Sequence, residues 1–167
     1  MSDFLQIIVP VVSVFVSYWL GRIQQERKYL RDQAQKRYDA FYVPFFTKLY
    51  AGQLWQLRPS SFGLEARGAF LDLLTHNLGH LGPKTQACYP DLYVAFCAML
   101  SYENDVPGSD DAPSRYDRAF RRTVSAAITE SRELCRELHL PPISATYEIC
   151  LRRAHRRKPK QAPRVRK

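Results

Sequence analysis

The stretch from Phe4 to Gly21 contains no charged residue, and it constrains this chain more than any other feature of the sequence. As a helix rising about 1.5 Å per residue, it would extend roughly 27 Å, close to the ~30 Å hydrocarbon core of a bilayer. The stretch is apolar on all sides rather than along one stripe, which is typical of a membrane span. We therefore predict a single transmembrane anchor over residues 1–21.

The residues on either side of this stretch favour an uncleaved anchor over a signal peptide. A signal peptide has positive charge before its apolar run and small residues at a cleavage site after it. Here the only charged residue before the run is Asp3. The far end holds Tyr18, Trp19 and Arg22, residue types that prefer the membrane interface.

One face of the predicted anchor carries small residues at four-residue spacing, namely Ser13, Ser17 and Gly21. Small residues in such a row let two helices approach closely in lipid. They predict self-association through this face and hence a homo-oligomer. The alternative is that serine is simply common in membrane helices.

The distribution of cations predicts the orientation of the anchor. Residues 22–48 are rich in Lys and Arg, whereas no Lys or Arg precedes Arg22. The positive-inside rule therefore places the N-terminus outside and the C-terminal domain in the cytoplasm, as a single-pass protein of the cell (inner) membrane. The cysteines include no CxxC pair, which fits a reducing compartment.

The rest of the chain predicts an all-α fold. Apolar residues recur at helical spacing, and no segment shows the period-two alternation of a strand. Residues 22–151 are expected to form one helical domain, a bundle of about four to five helices that continues from the anchor. The helices are predicted over residues 22–43, 62–81, 84–103, 114–139 and 143–157.

The net charge of +9 comes from the C-terminal end. Residues 152–167 hold nine cations and no acid, and Pro159 and Pro163 favour disorder in this basic tail. Its predicted partners are membrane lipids of the anionic inner leaflet or an acidic protein; nucleic acid is a less favoured partner because the tail has no aromatic residue to stack on bases. The cations are Arg152, Arg153, Arg156, Arg157, Lys158, Lys160, Arg164, Arg166 and Lys167.

Four arginines crowd the beginning of the predicted helix over residues 114–139. They are Arg115, Arg118, Arg121 and Arg122. Cations at this end of a helix oppose its dipole, so other charges should compensate for them. Local aspartates are the favoured compensation, and a bound anion is the alternative.

Asp72, His76 and His80 repeat at four-residue spacing and form a weak candidate metal site. The stretch lacks the glutamate of the HExxH motif, so the base for metal-assisted hydrolysis is missing. A solvated helix face is the favoured interpretation. No cofactor is predicted, and no catalytic motif identifies an enzyme.

These features together predict a membrane-anchored, non-catalytic interaction or scaffold protein, with a protein partner that the sequence does not identify. Two further hypotheses come from other classes: a holin-like protein that permeabilises membranes, and a membrane-tethered nucleic-acid-binding protein. A helical metalloenzyme at the Asp72 row is the weakest of the hypotheses.

Overall fold

The computed structural model describes residues 2–51 and 57–142 together with positions 145 and 149, and its described side chains begin at Ser17. These residues form helices and contain no strand, which confirms the all-α prediction for the part described. The α-helices are α1 (Ser2–Arg37), α2 (Val43–Ala51), α3 (Leu64–His76), α4 (Pro83–Glu103) and α5 (Ala112–Leu138). A π-helical turn covers Tyr38–Tyr42, and 3-10 turns cover Pro59–Ser61 and Leu78–His80.

Helix α1 does not end with the uncharged stretch but continues without a break to Arg37. Among its described side chains, charged residues occur in every turn from Arg22 onward. In the part of the chain that the structure describes, no helix is both long enough and apolar enough to cross a bilayer. The predicted transmembrane anchor over residues 1–21 is therefore wrong, and so is the single-pass placement in the inner membrane with its N-terminus outside.

Pro44 explains why α1 and α2 are joined by a π turn. Proline has no N–H to donate to the carbonyl of Ala40, and its ring would clash with that carbonyl in a regular α-helix. The chain instead widens by one residue, and the N–H of Val43 donates to the carbonyl of Tyr38. The sequence predicts a bend or break at Pro44, whereas the helical path continues and turns Tyr38, Phe41 and Tyr42 into the core.

A chain of aromatic rings connects three helices through the middle of the bundle. Phe45 of α2 lies 5.7 Å from Phe70 of α3 between ring centroids, and Phe70 lies 5.2 Å from Phe120 of α5. Phe62, before α3, packs edge-on to Phe120 at 5.6 Å. Edge-to-face pairs of this kind each contribute about 0.5–1.5 kcal/mol beyond the burial of their area. The rings therefore fix the position of α5 against α2 and α3.

Helices α4 and α5 pack against each other more extensively than any other pair of described helices, and their bounds agree with the sequence prediction. Helix α4 matches the predicted 84–103, and α5 matches 114–139. In α5, apolar residues recur at helical spacing from Tyr116 to Leu138, which predicts a core face, and these residues are buried in the structure. Since α5 buries one stripe, its opposite side carries the exposed arginines.

The predicted helix over 62–81 is shorter in the structure. Helix α3 ends at His76, and the chain then makes the 3-10 turn Leu78–His80. Only positions 145 and 149 of the predicted helix over 143–157 are described, and the basic tail over 152–167 lies outside the described residues. The domain division at residue 151 therefore stays a prediction.

Candidate anion-binding surface on helix α5

A buried carboxylate joins α5 to the beginning of α4. Glu130 is 4% exposed, and it accepts hydrogen bonds from the backbone N–H groups of Lys84 (2.6 Å) and Thr85 (3.3 Å). The hydroxyl groups of Thr85 (2.5 Å) and Tyr42 (3.0 Å) donate to the same carboxylate. The first N–H groups of a helix have no partner within the helix and favour a negative charge nearby. Glu130 therefore caps α4 from a distant position in the chain.

Gly82 permits this close approach. A Cβ atom at this position would fall on the carboxyl group of Glu130, so a larger residue cannot be accommodated without movement. The Gly82 N–H also donates to the Tyr42 hydroxyl at 3.1 Å. These contacts hold together the π turn, the first turn of α4 and the middle of α5. They therefore fix the rotation of α5 about its own axis and which of its residues face outward.

Burial raises the pKa of Tyr42 above its usual range, and the negative charge of Glu130 raises this pKa further. Burial also raises the pKa of Tyr116. An unfolded tyrosine ionises near pH ~10, so above that pH the unfolded chain releases protons that the folded chain retains. We expect the free energy of unfolding to fall as the pH rises above about 10. Urea denaturation on both sides of this pH would measure the fall.

The variant Tyr116→Phe tests this pH dependence. It removes one of the two groups, so its stability should fall less steeply with pH than that of the original chain. A fall of unchanged steepness would contradict the assignment of the effect to Tyr116.

Arg67 is a second buried charge. It is 1% exposed, and its guanidinium group forms an ion pair with Glu103. The guanidinium carbon lies 5.9 Å from the centroid of the Tyr116 ring. Among the described residues, neither Nε nor Nη1 of Arg67 has a hydrogen-bond partner. Buried donors without partners lower the free energy of unfolding. The two unpartnered nitrogens of Arg67 therefore offset part of the stability that its packing contributes.

The sequence prediction did not identify Glu130 or Arg67 as important positions. A signal was nevertheless present, because each charge lies on the apolar stripe of its helix. Arg67 precedes Phe70 and Leu74 at three- and seven-residue steps, and Glu130 precedes Leu134 by four. A charge at such a position is either at the edge of the stripe or buried with a partner.

Arginines of α5 line a shallow, open depression of about 510 Å³ along the outer face of this helix. They are Arg118, Arg121 and Arg122, three of the four arginines for which a bound anion was the alternative prediction. Arg115 is not among the residues that line it. The other lining residues are Ser114, Asp117 and Ser125. We call this surface the arginine groove.

Two arginines of the cluster have acidic neighbours. Arg122 lies 3.8 Å from Asp91 of α4, and Arg115 lies 3.9 Å from Asp111. Both pairs are long and their side chains are at least half exposed, so each pair contributes little to stability. Compensation of the arginine charges by local aspartates, the favoured prediction, therefore applies to Arg115 and Arg122 only.

Arg118 and Arg121 are exposed and make no ion pair or hydrogen bond within the described part of the chain. Asp117 lies beside them in the groove, but its carboxylate accepts a hydrogen bond from the Ser60 N–H at 2.7 Å. That contact holds the 3-10 turn Pro59–Ser61 against α5. The groove therefore presents two guanidinium groups whose donors are open to a ligand.

The row Asp72, His76 and His80 does not stay on one helix face. Helix α3 ends at His76, and His80 lies in the following 3-10 turn. Nδ1 of His76 is 2.8 Å from the backbone carbonyl oxygen of Asp72. Over the described ranges, no group of three or more His, Cys, Asp and Glu residues could hold a metal ion.

Most of the residues assigned to membrane contacts in the predicted anchor have described side chains. The side chain of Ser13 lies outside the described residues, Ser17 is exposed and Gly21 is half-buried. Tyr18 and Trp19 are exposed, and Arg22 forms an exposed ion pair with Glu26 at 3.4 Å. The tail cations from Arg152 to Lys167 also lie outside the described residues.

The chain matches no protein-family model, and comparisons with curated proteins and with solved structures return no similar protein.

Proposed function

We propose that this protein is a non-catalytic interaction module that binds an acidic segment of a partner protein in the arginine groove. The observation that supports the proposal is the presence of Arg118, Arg121 and Arg122 along one open groove of about 510 Å³. Two of these arginines have no acidic partner among the described residues. A guanidinium group binds a carboxylate through two parallel hydrogen bonds, which gives direction as well as attraction.

The chemistry of the groove favours carboxylates over nucleic acid. Its lining contains no aromatic side chain on which a base could stack, in the part of the chain described. Ser114 and Ser125 add short hydroxyl donors and acceptors at its two ends. The nine cations of residues 152–167 would raise the rate of association with any acidic partner without selecting a particular one.

Fluorescence anisotropy of a labelled glutamate-rich peptide with the full chain tests the proposal. Reversing the two unpaired charges, with Arg118→Glu and Arg121→Glu in one variant, should weaken binding roughly tenfold at low ionic strength. The basic tail is unchanged in this variant, so the loss would report the groove alone.

The matched control reverses two exposed cations of α1, with Lys28→Glu and Arg31→Glu. It makes the same change in net charge away from the groove, and we expect binding to change much less than in the groove variant. Equal losses in both variants would contradict the proposal, because general attraction would then explain the binding. Tighter, groove-dependent binding of a single-stranded RNA of equal charge would overturn it in favour of nucleic acid.

A further inference from the structure

The loop between α4 and α5 is acidic, and hydrogen bonds hold its turns. Residues 104–111, the acidic loop, carry Asp105, Asp110 and Asp111 and no cation. Its turns are held by hydrogen bonds, including Val106 N–H to the Ser101 carbonyl at 3.0 Å. Asp105 and Gly108 have positive φ angles of 53° and 82°, which reverse the chain sharply. The loop therefore presents its carboxylates in a defined arrangement.

Two acids of the loop and two arginines of the groove do not meet within one molecule. Asp105 and Asp110 are exposed and make no ion pair among the described residues, as is also true of Arg118 and Arg121. The loop lies at the beginning of α5, whereas Arg121 is ten residues beyond Asp111, roughly 15 Å along the helix. A second molecule turned end to end can bridge this distance.

We propose that the arginine groove of one copy takes the acidic loop of a second copy, forming a two-fold dimer. This inference rests on the proposed function, because it names the acidic partner of that same groove. The loop precedes α5 and the groove runs along the N-terminal half of α5, from Ser114 to Ser125, so antiparallel pairing of two such halves places each loop against the groove of the other copy. A contact between identical patches of this kind closes after two subunits.

The composition of this contact determines how the dimer should behave. Val106, at the tip of the loop, is 48% exposed and gives the contact an apolar side chain to place against the aliphatic stems of the arginines. The other contacts are exposed ion pairs, which salt screens over a Debye length of about 10 Å at 0.1 M. The dimer should therefore form at low ionic strength and dissociate as salt is added.

Sedimentation equilibrium of the full chain at low and high ionic strength tests this dimer. We expect a dimer at low salt, and monomers for both Arg118→Glu/Arg121→Glu and Asp105→Lys/Asp110→Lys. An equimolar mixture of the two variants should recover association, since both loop-to-groove contacts of the mixed dimer join opposite charges, one in the original sense and one in the reversed sense. The four changes combined in one chain should restore the dimer fully. The Lys28→Glu/Arg31→Glu variant should dimerise normally.

The outcomes separate this inference from the proposed function. A monomer at every concentration and low salt would overturn the dimer, as would a dimer that charge reversal leaves intact or that the combined variant fails to restore. If the monomeric chain still binds the glutamate-rich peptide through Arg118 and Arg121, the proposed function stands and a foreign acidic segment is the partner. Circular dichroism of each variant confirms that a loss of association is not a loss of folding.

Discussion

Replacing Glu130 with alanine should lower the free energy of unfolding by about 3–4 kcal/mol. The change removes the acceptor for Tyr42, for Thr85 and for the N–H of Lys84, and it leaves the two hydroxyl groups buried without this partner. It also opens a cavity between α4 and α5. Urea denaturation followed by circular dichroism at neutral pH would measure the loss.

Glu133→Ala is the matched control for this change. Glu133 follows Glu130 by one turn and also contacts Lys84, but through an exposed ion pair of 3.0 Å. Its loss should change stability by no more than about 0.5 kcal/mol. If the two variants lost equal stability, the capping role of Glu130 would be refuted. Glu130→Gln should fall between them, because the amide keeps one acceptor oxygen and the shape of the side chain.

The sequence was sufficient to predict the helices whose local signals agree with their packing. Helix α5 follows a regular apolar stripe from Tyr116 to Leu138, and Pro141 follows its last turn. Helix α4 begins at Pro83 directly after Gly82 and ends before a loop rich in turn formers. In these segments periodicity, helix-ending residues and burial all favour one structure. Their bounds were therefore predicted within a few residues.

The first helix could not be predicted correctly from its composition. An uncharged stretch suggests a membrane span wherever it is long enough, but composition does not show where the helix ends. The continuation of α1 into the charged segment was predicted, whereas the π turn at Tyr38–Tyr42 that carries the chain into the core was not. That turn results from Pro44 together with the burial of Tyr42. The burial of Tyr42 depends on tertiary contacts, which the sequence does not show.

The groove was only partly predictable for a similar reason. Helical spacing places Arg118, Arg121 and Arg122 on one face of α5, and this follows from the sequence alone. Which of them meet an acid depends on the packing of α4, since Asp91 approaches Arg122 across the helix pair. The register of α4 against α5 is held by Glu130 and Gly82, two residues whose contact joins distant parts of the chain. Whether each arginine is paired with an acid is thus a consequence of tertiary structure.

Replacing Arg67 with methionine should raise the free energy of unfolding by about 1–2 kcal/mol. Methionine fills much of the same volume in a site that is 1% exposed, and it removes the two guanidinium nitrogens that have no partner among the described residues. Glu103 loses its ion pair, but its side chain is 40% exposed and can be hydrated. The lost contact with the Tyr116 ring offsets only part of the gain.

Comparison with Arg67→Ala separates the cost of the buried charge from the benefit of its packing. Alanine removes the same donors but leaves a cavity beside Tyr116, so it should lower the free energy of unfolding by about 2–3 kcal/mol. Arg58→Met makes the methionine change at an exposed position and should alter stability by less than about 0.5 kcal/mol. A loss of stability in Arg67→Met as large as that in Arg67→Ala would refute the argument. It would mean that the ion pair with Glu103 and the ring of Tyr116 stabilise Arg67 by more than its two unpartnered nitrogens cost.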